Sequence, residues 1–81
     1  MEKLEFSFEM FEEVLETTET GAYHTYGISL LRDGAILEQL HDVHLDAQIC
    51  EEITGLLNQT HTSPINWKDC VIEEINRRAR P

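Results

Sequence analysis

The sequence predicts a single small α+β domain in which a β-hairpin is followed by two helices. Three observations predict it: the Asp33-Gly34 turn between two strand-like runs, a helix-capping aspartate at Asp46, and a second helix start at Asn66. Apolar residues make up 41% of the 81-residue chain, enough for a core although the length is near the lower limit for one. Residues 1–81 are therefore expected to form one domain.

The hairpin is predicted from the residues on either side of the Asp33-Gly34 turn. An Asp-Gly pair provides the positive φ angles that a tight hairpin turn requires. Residues 22–31 are rich in Tyr, Ile and Leu, and residues 35–43 divide into two alternating sets, as strands do. Gly27 lies inside the first run, where a glycine indicates a bulge or the close approach of another group to the backbone.

Two helices are predicted to follow the hairpin. Asp46 can accept the free N–H groups of a first turn, and the helix it begins is predicted to run over 47–59. Its apolar face consists of Ile49, Ile53, Leu56 and Leu57. Ser63-Pro64 breaks the chain, and Asn66 is predicted to cap a second helix that ends near residue 78. Its inner face consists of Trp67, Val71, Ile72 and Ile75, and its outer side carries the i,i+4 pair of Glu74 and Arg78.

The first twenty residues are ambiguous between a strand and a helix. Apolar and polar residues alternate over 4–10, as in a strand, and aromatic and threonine residues favour the same interpretation. At 100° per residue, however, the apolar residues gather on one side and all seven glutamates on the other, which favours a helix. The residues alone leave both alternatives open.

Several short segments within about residues 12–76 form a combined pattern. They are Tyr26-Gly27-Ile28, Asp33-Gly34, Asp42-Val43-His44-Leu45-Asp46, Leu56-Leu57-Asn58, Ser63-Pro64-Ile65 and Asp69-Cys70-Val71-Ile72-Glu73. Together they resemble a family of short bacterial proteins, mainly from Firmicutes, that is known only as a domain of unknown function. The resemblance implies a strand before the hairpin, hence a three-stranded antiparallel meander followed by two helices packed on one face. We adopt that fold, with an N-terminal helix as the alternative. The family has no established activity, so it assigns a role to no residue.

The net charge of −10, from sixteen carboxylates against six Lys and Arg, limits the partners of the protein. Such a charge repels bare nucleic acid and anionic membranes. The acidic N-terminus does not resemble a secretory signal, and no run approaches the about 20 apolar residues of a membrane span, so a cytoplasmic location is expected. Cys50 and Cys70 are expected to be reduced thiols in or near the core.

A stripe of glutamates is the most informative candidate for an interaction surface. It consists of Glu5, Glu9, Glu12, Glu16 and Glu19. In a helix these carboxylates would form a continuous ridge that imitates the charge of a phosphate backbone, whereas in a strand they divide between two faces. A solvated acidic face that keeps the protein monomeric explains the stripe as well.

No catalytic, cofactor or metal site is predicted. His41 and His44, with Asp42 and Asp46 nearby, are the best metal candidate, but surface histidines before a helix explain the pattern equally well. Cys50 and Cys70 lack the close spacing of structural zinc ligands. Aromatic residues could form a recognition patch but are more typical of a core in this fold; they are Tyr23, Tyr26 and Trp67. Arg77, Arg78 and Arg80 fit a basic tail at a helix C-terminus.

The sequence thus favours a small acidic, non-enzymatic binding or regulatory protein that acts through protein–protein contacts. The expected partner is a protein with a basic surface. The alternative is an acidic nucleic-acid mimic that inhibits a nuclease or another nucleic-acid-binding complex, as phage anti-defence proteins do. A homodimer in which hairpin edges pair across a two-fold axis is a further hypothesis.

Overall fold

The fold is a three-stranded sheet followed by two helices that pack on one of its faces. We describe it from a computed structural model, which covers residues 5–19 and 21–79. The elements are β1 (Phe6–Thr17), β2 (Gly21–Arg32), β3 (Ala35–His44), α1 (Ala47–Gln59) and α2 (Trp67–Ala79). This confirms the predicted α+β class and the meander, and the first segment is a strand rather than the alternative helix.

The sheet has the strand order β1-β2-β3, with both neighbouring pairs antiparallel. The β1–β2 register is regular from Phe6 opposite Arg32 to Thr17 opposite Gly21. Strand β3 is shorter than β1 and β2, and its last pair with β2 joins His44 to Tyr26. The β1–β2 ribbon therefore extends well past the end of β3, and the molecule is elongated, with principal extents of 52 × 30 × 19 Å.

The core lies between the helices and one face of the sheet, which we call the helix face. Even-numbered residues of β1 and β2 point to it, and the rings of Phe8 and Trp67 lie 5.4 Å apart at its centre. The buried core consists of Phe8, Ile28, Leu30, Val43, Cys50, Ile53, Leu57, Trp67 and Val71. The predicted core position of Trp67 is thus confirmed. Ile72 was expected on the inner face of α2, but its side chain is half exposed, because α2 contacts the sheet through Trp67 and Val71 one turn apart.

Local polar contacts begin and join the helices, and the predicted Asp46 cap is among them. The Asp46 carboxylate accepts the Gln48 N–H at 2.9 Å and caps α1. At the start of α2, the Asn66 carbonyl accepts the Cys70 N–H at 3.2 Å. The Glu74–Arg78 pair forms at 3.2 Å, and Arg78 also reaches Glu52 of α1 at 2.7 Å. The two helices are therefore joined by a small ion-pair network.

Arg77 and Arg78 belong to this ordered part of α2, where Arg77 pairs with Glu74, rather than to a free tail. Arg80, the third arginine of the predicted basic tail, lies outside the described residues.

The other face of the sheet, which we call the open face, carries no helix. Gly27 lies at its centre, and the ring of Phe11 from β1 lies over it. A Cβ at position 27 would lie 2.4 Å from Phe11 Cζ and 2.6 Å from the Leu40 carbonyl oxygen. The close approach expected at Gly27 is therefore confirmed, and the accompanying irregularity lies in β3, between Leu40 and His44.

Candidate functional site

The part of the ribbon that extends past β3 is the most distinctive surface of the molecule. We call it the arm and define it as residues 12–19 and 21–26; it begins at Tyr26, the last residue of β2 paired with β3. It is two strands wide, whereas the rest of the sheet is three strands wide. Its carboxylates belong to Glu12, Glu13, Glu16 and Glu19, and three of these residues are exposed.

The five glutamates of the predicted stripe do not form one ridge. Their distribution follows from the strand: Glu9 lies on the open face, Glu12 and Glu16 lie on the opposite face, Glu5 precedes β1 and Glu19 lies in the turn after it. All five are exposed. The continuous ridge required a helix, so the structure replaces it with an acidic edge strand that has charge on both faces.

The acids of the arm lack nearby Lys and Arg residues. No Lys or Arg occurs between residues 4 and 31, although this stretch contains six glutamates (5, 9, 12, 13, 16 and 19). The His24 Nδ1 atom lies 3.5 Å from the Glu12 carboxylate, and both residues are largely exposed. The arm therefore carries an uncompensated negative charge.

The basic side chains of the helices are instead paired locally. Lys68 contacts Glu38 of β3 at 2.8 Å, and this hydrogen bond lowers the pKa of the Glu38 carboxyl. Arg77 lowers the pKa of Glu74 in the same way, with a smaller contribution from Arg78. The described Lys and Arg residues of the helices are thus all paired with acids, whereas the arm contains no Lys or Arg.

A polar cluster holds the base of the arm against β3. Glu13 lies on the open face of β1, where its carboxylate contacts His41 Nδ1 at 2.8 Å and accepts the Asp42 N–H at 2.8 Å. The Asp42 carboxylate in turn accepts the Thr25 hydroxyl at 2.7 Å and the Tyr23 hydroxyl at 3.0 Å. These four contacts join all three strands on one face of the sheet.

The backbone of Asp42 explains why the cluster forms. Its φ is +52°, in the left-handed region that Asp tolerates better than most residues, and it lies in the β3 irregularity. This conformation aims the N–H of Asp42 at Glu13 and its carboxylate at β2. The hydrogen bond to Asp42 raises the pKa of Tyr23, because it favours the protonated phenol.

Sequence reasoning did not identify Glu13 as the member of the acidic segment with a specific role. The local pattern does not separate Glu13 from the other acids of the first segment, because its partners lie 28 and 29 residues away on a non-neighbouring strand. An Asp within a strand-like run was the available signal, since Asp is unfavourable in regular strands and tolerates positive φ. Tyr23, weighed as part of an aromatic patch, belongs to this cluster, whereas Tyr26 packs partly against the core.

The two histidines considered as metal ligands are directed to different partners. His41 contacts Glu13 and the edge of the Phe11 ring, whereas His44 Nδ1 accepts the Asp46 N–H at 2.9 Å. Within residues 5–19 and 21–79, no group of three or more His, Cys, Asp and Glu side chains is arranged to hold a metal ion.

Both cysteines are free thiols, as expected from the sequence. Cys50 is fully buried in the core, and burial raises the pKa of its thiol to about 11. At neutral pH this group is protonated and therefore a poor nucleophile. Cys70 is half-buried beside the same core.

A side chain of α1 forms hydrogen bonds with the backbone at the outer edge of β1. The side-chain amide of Asn58, near the end of α1, accepts the Phe8 N–H at 2.8 Å and donates to the Phe8 carbonyl at 2.9 Å. One side chain therefore satisfies both backbone groups of an edge residue, as a neighbouring strand would.

Comparisons with family models, with curated proteins and with solved structures found no match. The resemblance to a Firmicutes family therefore stays a prediction. Neither helix in the described part of the chain is long and apolar enough to cross a membrane.

Proposed function

We propose that the chain is a small, non-enzymatic binding protein that regulates a protein partner, and that its acidic arm contacts a basic surface of that partner. The observation that carries this proposal is the separation of charge. The arm holds four glutamates and no Lys or Arg, whereas the Lys and Arg residues of the helices are already paired.

The shape of the arm supports the same function. A ribbon that projects beyond β3 leaves Glu12, Glu16 and Glu19 exposed, so these carboxylates can approach a partner. Fields from a single-sign patch steer a partner of opposite charge and raise its association rate, an effect that salt weakens. The polar cluster of Glu13, His41 and Asp42 fixes the base of the arm, which lowers the entropy lost on binding.

The first experiment is a pull-down of the tagged protein from its source cells, with elution by graded salt. It compares the wild type with a Glu12→Gln/Glu16→Gln variant, which removes two exposed charges from the arm. The control is Glu51→Gln/Glu73→Gln, which removes two exposed charges from the helices. Because both variants have the same net charge, a difference between them reports the location of the charge.

We expect one partner that elutes at moderate salt and is lost from the arm variant but retained by the helix variant. Equal retention by both variants would contradict an arm-directed contact. If the partner is a nuclease or another nucleic-acid-binding protein whose substrate competes with the arm, the nucleic-acid mimic becomes the better description of the function.

A further inference from the structure

We infer that a lysine- or arginine-rich extended segment of the partner adds to the sheet as a fourth strand, along the free edge of β1 at residues 10–16. This inference rests on the proposed function, because it specifies the form in which the basic partner docks. Three features support it: the direction of the β1 backbone groups, the negative charge beside them, and the like-charge repulsion that opposes pairing with a second copy of the chain.

Asn58 reveals which backbone groups of β1 point away from β2. Its amide bonds both the N–H and the carbonyl of Phe8, so even-numbered residues of β1 direct these groups outward. The opposite parity points inward, since the Glu5 carbonyl accepts the Asp33 N–H at 2.9 Å from the β2–β3 turn. The β1–β2 register contains no irregularity that would change this alternation.

The outward groups beyond Phe8 are available for a new strand. They belong to Met10, Glu12, Val14 and Glu16, and none of them bonds another residue outside the ladder in the described part of the chain. The stretch is about 20 Å long, given the rise of an antiparallel strand. Asn58 closes one end of it, so the bound segment would begin next to Phe8 and extend along the arm.

The side chains beside this edge specify a basic occupant. Glu12 and Glu16 are exposed on one face of β1, with the half-exposed Val14 between them. In an added strand, the residues opposite these two glutamates lie within about 4.5–5.5 Å between Cβ atoms, where opposite charges stabilise the pairing. A segment in which every second residue is Lys or Arg meets this requirement.

A second copy of the chain is a poorer occupant of the same edge. In antiparallel pairing about a two-fold axis, a register centred on Glu12 sets Glu12 opposite itself, and one centred on Glu13 does the same for Glu13. A register centred on Val14 sets Glu12 opposite Glu16. Directly opposed like charges destabilise a sheet, and charged edge strands are a known protection against self-pairing. The homodimer hypothesis is therefore not favoured at this edge in these three registers.

The test uses a synthetic ten-residue peptide of alternating Lys and Thr. A second peptide of the same sequence carries backbone N-methyl groups on its lysine residues, whose N–H groups would face β1. The protein variants are Val14→Pro and Val14→Thr. Proline removes the outward N–H of position 14 without changing the charge, and edge strands tolerate proline where the N–H faces solvent. Thr keeps the N–H and a β-branched shape, and chemical denaturation checks that both variants are folded.

Binding is measured by calorimetry at low and high salt, and by hydrogen exchange of the β1 amides. We expect the plain peptide to bind the wild type, and to bind the Val14→Thr variant more tightly than the Val14→Pro variant. Binding should weaken about tenfold or more with Val14→Pro or with the methylated peptide, as expected for lost backbone hydrogen bonds. Binding should also slow exchange at Met10, Glu12, Val14 and Glu16, a readout that needs no variant.

The outcomes separate this inference from the proposed function. If the Glu12→Gln/Glu16→Gln variant loses binding while Val14→Pro and the methylated peptide bind normally, the acidic arm is the binding surface but strand addition is wrong. If the charge variant and high salt leave binding unchanged, the proposed function itself fails. Unchanged exchange of the four outward amides in a bound wild-type complex also overturns strand addition.

Discussion

At the scale of single residues, Gly27 and Asp42 show how the sheet accepts contacts that a regular strand would not. Gly27 has no side chain, and the Phe11 ring occupies the space above it. Asp42 has a φ of +52°, which directs its backbone N–H to Glu13 and its carboxylate to Thr25. Both residues lie next to the same irregularity of β3, so the structure of this part of the open face depends on a glycine at position 27 and an aspartate at position 42.

Replacement of Gly27 by Ala is expected to destabilise the fold. The new Cβ would lie 2.6 Å from the Leu40 carbonyl oxygen, a backbone atom that cannot move without disturbing the ladder, and 2.4 Å from Phe11 Cζ. We expect a loss of about 1–3 kcal/mol in the free energy of unfolding, as for other overpacked sites. Urea denaturation followed by circular dichroism measures it.

Gly55→Ala is the matched control for this substitution. Gly55 lies on the exposed side of α1, where a Cβ meets nothing within 4 Å, so Ala should stabilise the helix by about 0.5–1 kcal/mol. A Gly27→Ala variant as stable as the wild type would show that the Phe11 ring and β3 can separate without cost.

At the scale of elements, Asn58 connects α1 to the edge of the sheet. Its amide makes two hydrogen bonds to the backbone of Phe8, and Phe8 itself packs against Trp67 of α2. One residue of β1 is thus held by both helices. The remainder of β1 pairs only with β2 in the sheet, and the Glu13 side chain also contacts His41 and Asp42 of β3.

An Asn58→Ala variant should therefore weaken the attachment of β1 as well as the whole fold. Two partly buried backbone groups of Phe8 lose their partner, which should cost about 1–3 kcal/mol. Denaturation measures the global loss, and hydrogen exchange should show a faster Phe8 amide. Gln59→Ala, at the exposed next position, should change neither quantity, and an unaltered Phe8 amide in the Asn58 variant would contradict the contact.

The sequence predicted the elements whose signals are local. The Asp33-Gly34 turn, the Asp46 cap and the apolar spacing of α1 each act within a few residues. The structure confirms the turn, the cap and the helix, whereas Leu56 of the predicted apolar face is exposed. Strand β1 was ambiguous, because its glutamates satisfy both periodicities, and only pairing with β2 decides between them.

The Glu13–Asp42 contact and the Asn58–Phe8 contact were not predictable in the same way. Each joins residues that are far apart in the sequence, and no local pattern encodes such a pair. The many glutamates of the first segment predicted an acidic surface, whereas the shape of that surface depends on these two long-range contacts.

At the scale of the whole molecule, the charge of −10 is unevenly compensated. The helices carry ion pairs such as Lys68–Glu38 and Arg78–Glu52, whereas the arm contains no Lys or Arg. Repulsion among unpaired acids acts against the compact state, and salt screens it, with a Debye length of about 10 Å at 0.1 M.

The melting temperature should therefore rise by several degrees as sodium chloride increases from low concentration to about 0.5 M, because screening of the repulsion outweighs the weakening of exposed ion pairs. Differential scanning calorimetry measures the change. The Glu12→Gln/Glu16→Gln variant should respond less than the wild type. A melting temperature that is constant or falls with salt would show that self-repulsion is not a significant cost.

The distance in sequence between Phe8 and Asn58 has a consequence for biosynthesis. Asn58 is added to the chain 50 residues after Phe8, which corresponds to about 3–10 s of translation at typical elongation rates. A ribosome-bound chain whose β1–β2 hairpin has emerged cannot yet cover the edge of β1 with α1, because α1 leaves the ribosome after the hairpin. The glutamates of β1 are already in place, and like-charge repulsion then protects neighbouring nascent chains on one polysome from joining through their open edges.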